Sequence, residues 1–219
     1  MKTKIFSIGL IVVIAIFIVT LSIALPILVR PFYYLQIDAL GVEKASGLNR
    51  EEVIEAYNEM MDYCIGLRSE FSAGVLPFSE SGASHFADVR ALFVLNFVAL
   101  FICSALIVVS FVLVKKKKIT LHRFCGRSVP FWSVVSIFSL ASIVAIACVV
   151  NFKKAFLTFH QIFFPGKTDW KFNPYTDPII ELLPNQFFSN CAVFIFCGIV
   201  VSCVAIMLYE FLPRRKRVS

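Results

Sequence analysis

Four uninterrupted apolar runs, at about 5–29, 91–114, 129–150 and 188–212, leave this chain little choice of fold. Each matches or exceeds the roughly 20 residues that a helix needs to cross a hydrocarbon core. Lipid offers no partner for backbone N–H and C=O groups, so a spanning segment must satisfy them within itself, as a helix. With 59% hydrophobic and 16% charged residues, the composition also lies outside the range of soluble domains. The expectation is an all-α integral membrane protein, a single membrane domain over 1–219 with four transmembrane helices.

The "MKTK" start could open a signal peptide. Its apolar run of about 25 residues exceeds the 7–15 of a signal core, and no small-residue cleavage pattern interrupts it. It reads as a retained helix that stops or kinks near Pro26 and Pro31. Lys and Arg flanking the spans set orientation, because they accumulate on the cytoplasmic side. Lys2, Lys4, "KKKK" at 115–118, Arg123, Arg127 and "RRKR" at 214–217 give one side twelve basic residues against a single acid, Glu210. The other side has nine basic residues and thirteen acids. Both termini and the 115–128 loop are expected in the cytoplasm, with an extracellular cap formed by 30–90 and 151–187. The basic flanks read as topology signals that meet anionic lipid headgroups, not as a nucleic-acid surface.

The spans hold almost no ionisable side chains, which weighs against a channel or transporter. Asn96 is the notable polar residue within them and reads as interhelical glue. Seven cysteines include no C-x-x-C, so neither a zinc ribbon nor a redox pair is indicated. Any chemistry therefore belongs to the two segments outside the spans.

In the first of these, "NREEVIEAYNEMMDYCIG" reads as an amphipathic helix. Asn49 caps it, Glu52 completes a capping box, and Gly66 ends it. Its apolar face packs on the rest of the cap or else lies on the membrane surface, where its acidic polar face is unfavourable. The second segment is rich in aromatic residues and is broken by Pro165, Pro174, Pro178 and Pro184, so it is not one continuous helix. There Phe156, Phe159, Phe163 and Phe164 offer His160 an apolar pocket.

Three histidines occur, and His122 falls among cytoplasmic basic residues. His85 precedes the second span and His160 follows the third, so topology brings both to one face at similar depth. Imidazole suits proton transfer near neutral pH, although packing or interfacial hydrogen bonding explains such residues equally. Asp88 and Arg90 could brace His85; a cap at Ser84 with an acid in the first turn accounts for the same residues without function. There is no nucleophile elbow, zinc helix or P-loop. Two histidines with Asp88, Asp169 or Asp177 could hold zinc, but no spacing favours it.

"S-x-S-G-A-S-HFADVR" before the second span and "FHQIFF-x5-W-x-FNP-x-TDPIIELLP-x-x-FF" before the fourth resemble the lipoprotein intramolecular transacylase (Lit) family of Gram-positive bacteria. The likeness extends over nearly the whole chain, with "FFPGKTDW" departing from the pattern. It implies an acyltransferase of the bacterial cell membrane with its active site facing outward. The substrate would be a diacylglyceryl lipoprotein. Its sn-2 acyl chain would move from glycerol to the α-amino group of the N-terminal cysteine, leaving the lyso-form.

The likeness further implies that His85 and His160 are catalytic, with Asp88 and Arg90 supporting. Phe163, Phe164, Trp170 and Asp177 would bind substrate. The first assignment makes His85 the base for the amine and His160 the donor to the oxyanion or leaving oxygen; the reverse, or an acyl-imidazole intermediate, stays open. No metal or other cofactor is expected, the partners are the lipoprotein and membrane lipids, and a monomer is assumed. Two other readings stand beside this one: a membrane scaffold and a zinc-dependent membrane hydrolase.

Overall fold

The computed structural model describes residues 2–211, so the "RRKR" run at 214–217 and the end of the fourth apolar run lie outside the described residues. Ten helices follow in order among the described residues: α1 (Lys2–Leu28), α2 (Pro31–Tyr34), α3 (Ile37–Leu40), α4 (Val42–Ser46), α5 (Arg50–Cys64), α6 (Glu80–Lys115), α7 (Val129–Val150), α8 (Phe152–Phe163), α9 (Ile179–Leu182) and α10 (Asn185–Phe211). No strand occurs among these residues. Four helices, α1, α6, α7 and α10, are long and apolar enough to cross a membrane.

The four long helices pack α1 against α6, α7 and α10, and α7 against α10. Most of their surface keeps its apolar side chains outward, as at Leu95, Phe101, Val108 and Val149. Lipid rather than water suits such a surface. Small and polar residues join the helices: Asn96 Nδ2 donates to the Thr20 carbonyl at 3.1 Å, the interhelical role read from its position. A Cβ on Gly198 would fall 2.9 Å from Leu25 and 3.1 Å from the Ser22 hydroxyl, so glycine lets α10 approach α1 closely.

The segments between α1 and α6 and between α7 and α10 share one hydrophobic core and are called the cap below. The capping box at Asn49 is present as the sequence suggested: Asn49 accepts from the Glu51 and Glu52 amides, and the Glu52 carboxylate accepts from the Asn49 amide. The apolar face of α5 (Val53, Tyr57, Met60, Cys64) is buried in the cap core with Tyr33, Ile37, Ile179, Leu182 and Phe187. It therefore packs inward and does not lie on a membrane surface. Tyr33 stacks on Tyr57 with centroids 3.8 Å apart and donates its hydroxyl hydrogen to the Leu182 carbonyl at 2.9 Å. Those contacts tie the segment between α1 and α6 to the segment between α7 and α10. Arg30, at the root of α2, pairs with Asp62 of α5 at 2.7 Å.

One boundary differs from expectation. The second long helix begins at Glu80, and its cap is Ser79, not Ser84. The apolar run marks only what lipid can cover, while the helix continues as long as capping and cap contacts support it. At 1.5 Å per residue its 36 residues measure about 54 Å, well beyond a hydrocarbon core of about 30 Å. The turns Glu80–Arg90 thus precede the apolar run and carry polar side chains into the cap.

Candidate active site

The start of α6 is locked by Asp177. Its carboxylate accepts from the Ser79 amide at 2.8 Å, the Ser79 hydroxyl at 2.9 Å and the Thr176 hydroxyl at 2.7 Å, while Ser79 Oγ accepts from the Gly82 amide. Burial raises the Asp177 pKa, but these hydrogen bonds outweigh it and hold the group below its ordinary range. A Cβ on Gly82 would come within 2.2 Å of Asp177 Oδ1, so the clasp requires glycine there. Asp177, anticipated as a substrate-binding residue, is 4% exposed and serves as the clamp that fixes the helix register.

That register turns His85 inward, where it is 5% exposed. Its ring meets Phe164 at 5.0 Å and Phe172 at 5.5 Å between centroids. His160 arrives from α8, which Asn151 caps by accepting from the Lys154 amide at 2.9 Å. The two imidazoles lie 5.9 Å apart, with ring planes inclined by 28°. Phe156, Phe164 and Trp170 enclose His160 at 4.3, 5.6 and 4.5 Å. Phe163 is half-exposed and packs its ring at a tilt against Phe159, with centroids 4.6 Å apart.

The hydrogen bonds decide what each ring can do. His160 Nδ1 lies 2.8 Å from the Phe156 carbonyl, which can only accept. The Nδ1 position therefore carries the hydrogen, and in the neutral ring Nε2 holds the lone pair. Burial lowers the His160 pKa, partly offset by that bond. Burial likewise pushes His85 down to about 4, against the opposing pull of Asp169 and Asp88. Both rings are neutral at neutral pH, the form in which imidazole accepts a proton.

Asp169 faces His85, with Oδ1 3.9 Å from Nδ1, and neither buried atom has a hydrogen-bond partner. Asp88, one helical turn beyond His85, holds the ammonium of Lys167. One donor atom from each of His85, Asp88 and Asp169 lies within 4.8 Å of the others. Such a set has the donors for a cation, but an ammonium already neutralises part of it.

Arg90 goes elsewhere, a second departure from expectation. It donates to the Arg68 carbonyl at 3.0 Å and covers the Tyr63 ring at 4.9 Å, staying on the α5 side and bracing the 66–69 loop. Helical geometry explains the split, since side chains two positions apart do not face one another. Lys167 and Phe172 were missed in the sequence, and Asp169 entered only as a possible zinc ligand. Their one signal was position, shortly after "FHQIFF" in a loop broken by Pro165 and Gly166.

Fold and site together define a class: a four-helix membrane-integral protein whose imidazoles and carboxylates gather at one end of its bundle. A protein-family model described as lipoprotein intramolecular transacylase Lit matches residues 8–188. The chain belongs to this family, and it is accordingly an acyltransferase of lipoprotein modification. It is similar in structure to the membrane-integral lipoprotein intramolecular transacylase Lit of Bacillus cereus, with TM-score 0.86 and 24% identity over 98% of this chain and 97% of that one. Forms of that protein carrying H85A and H85R mutations give TM-scores of 0.80 and 0.78, at 24% and 22% identity. They cover 98% and 94% of this chain and 95% and 89% of theirs. A comparison with curated proteins found no match.

Proposed function

We propose that the protein moves the sn-2 acyl chain of a diacylglyceryl lipoprotein to the α-amino group of its N-terminal cysteine, with His85 and His160 managing the protons. The observation that carries this reading is the pair of buried, neutral imidazoles 5.9 Å apart. Converting an ester to an amide is downhill, so no nucleotide or acyl-CoA is needed. Donor and acceptor belong to one molecule, and binding alone supplies their proximity.

The hydrogen bond from His160 Nδ1 to Phe156 favours the reverse of the first assignment. The Nε2 lone pair of His160 takes a proton from the attacking nitrogen and returns it to the glycerol oxygen. Nitrogen and leaving oxygen are bonded to one carbon in the tetrahedral intermediate, so a single Nε2 reaches both. His85 accepts from the amine and orients it, with Asp88 on the same helical face. Phe164 and Trp170 wall the reacting centre, and half-exposed Phe163 offers the acyl chain an apolar path. Asp177 acts through the helix start, and Arg90 through the 66–69 loop.

The excess of Lys and Arg at one end of the bundle supports cytoplasmic termini and a site at the outer face of the cell membrane, where a lipid-anchored substrate presents its ester. The basic flanks meet anionic lipid, and a monomer suffices because both histidines come from one chain. Mass spectrometry of a reporter lipoprotein tests the assignment. His160→Ala and His85→Ala should each cut lyso-form production by about 10²–10⁴-fold, the usual worth of positioned acid–base catalysis. Wild-type conversion by either variant removes that histidine from the mechanism.

A further inference from the structure

Two carboxylates stand against a buried histidine whose inner nitrogen has no partner. His85 Nδ1 and Asp169 Oδ1 face each other across 3.9 Å, too far for a direct hydrogen bond. Buried polar atoms are normally satisfied, so a pair of this kind suits a donor that can serve both. Asp88 completes the group, with one donor atom from each residue inside 4.8 Å. A cation already rests there: the Lys167 ammonium bonds Asp88 Oδ2, and Asp169 acts on it as a second anion. That lysine is 45% exposed on a loop turned by Gly166 at φ +75°, so its flexible stem can leave without disturbing the core.

We infer that Asp88, Asp169 and His85 Nδ1 form a subsite for the α-ammonium of the lipoprotein's N-terminal cysteine, which Lys167 fills as a tethered stand-in until substrate arrives. The inference rests on the acyl-transfer reading and names how that site recognises its acceptor. An α-amino group with an ordinary pKa near 8 is mostly a cation at neutral pH. An ammonium has three N–H donors, one for each acceptor of the subsite.

Reaction then removes the charge. The N–C bond forms and the sn-2 C–O bond breaks. One nitrogen proton passes through His160 to the glycerol oxygen, and a second is lost to solvent as ammonium becomes amide. The carboxylates have no claim on a neutral amide, so the product loosens and Lys167 returns. The same subsite separates free-amine lipoproteins from N-acylated ones.

The test measures binding to the full-length protein in lipid nanodiscs at neutral pH. The probes are a dialkylglyceryl cysteinyl peptide, whose ether links cannot be transferred, and its N-acetylated form. The wild type should bind the free amine about tenfold or more tightly than the N-acetyl form, the scale of charge-assisted hydrogen bonds. Asp88→Asn and Asp169→Asn should bring that ratio toward one, and Lys167→Met should tighten only the free amine, several-fold.

Equal wild-type affinity for the two probes overturns the subsite, as does a ratio that survives both Asn substitutions. The N-acetyl probe reports whether a variant has folded, and where Asp169→Asn fails to bind it, the Asp88 and Lys167 variants decide. A wild type that makes lyso-form from the ester but ignores the amine's charge loses the subsite and keeps the transacylase. One that keeps the ratio yet makes no lyso-form does the reverse.

Discussion

At the residue scale, neutrality of the two imidazoles is the property that matters. Desolvation in an aromatic pocket holds His85 at about 4, below the ordinary 6.5. For a base whose folded pKa is depressed, the unfolded chain takes up the proton first as pH falls. His85 therefore contributes stability in full above pH 6.5, and loses it between 6.5 and about 4. Thermal unfolding in detergent at several pH values should show this slope, and His85→Ala should flatten it. In catalysis, the acid limb of kcat should fall below pH 6.5, because burial lowers both rings. The pH profile of lyso-form production checks this directly. The two histidines were legible in the sequence because few residue types suit proton transfer and their depth followed from topology. Their tautomers were not, since that of His160 depends on a carbonyl one helical turn away.

At the element scale, the site depends on where α6 begins. Ser79 caps the helix while donating to buried Asp177, so Ser79→Ala removes a cap worth about 1 kcal/mol. It also strips a buried carboxylate of one donor, costing about 1–3 kcal/mol more. The expected outcome is a lower melting temperature in detergent together with reduced activity, as His85 loses its register. Gly82→Ala should do the same, because its Cβ would land 2.2 Å from the Asp177 oxygen. The amphipathic α5 was readable to its capping box, since both cap partners lie within four residues. The start of α6 was not, because the carboxylate that fixes it lies 98 positions away. Arg90 shows the same limit from the other side: its place in the chain suggested the site, and its helical face sends it to Tyr63.

At the scale of the whole molecule, the apolar runs determine four long helices, and the cap they carry brings two distant histidines together. The paired motifs were sufficient to point to the family. The loop 165–169, which supplies Lys167 and Asp169, was obscured by its proline and glycine and became meaningful only against α6. In the proposed transfer, donor and acceptor belong to one substrate molecule. A crossover assay tests it most directly, with two diacylglyceryl lipopeptides mixed in one preparation, one isotopically labelled in its sn-2 acyl chain and the other in its peptide. Mass spectrometry should find N-acyl products in which each peptide carries only its own chain. Products with exchanged labels, or free fatty acid in place of N-acylation, would contradict intramolecular transfer.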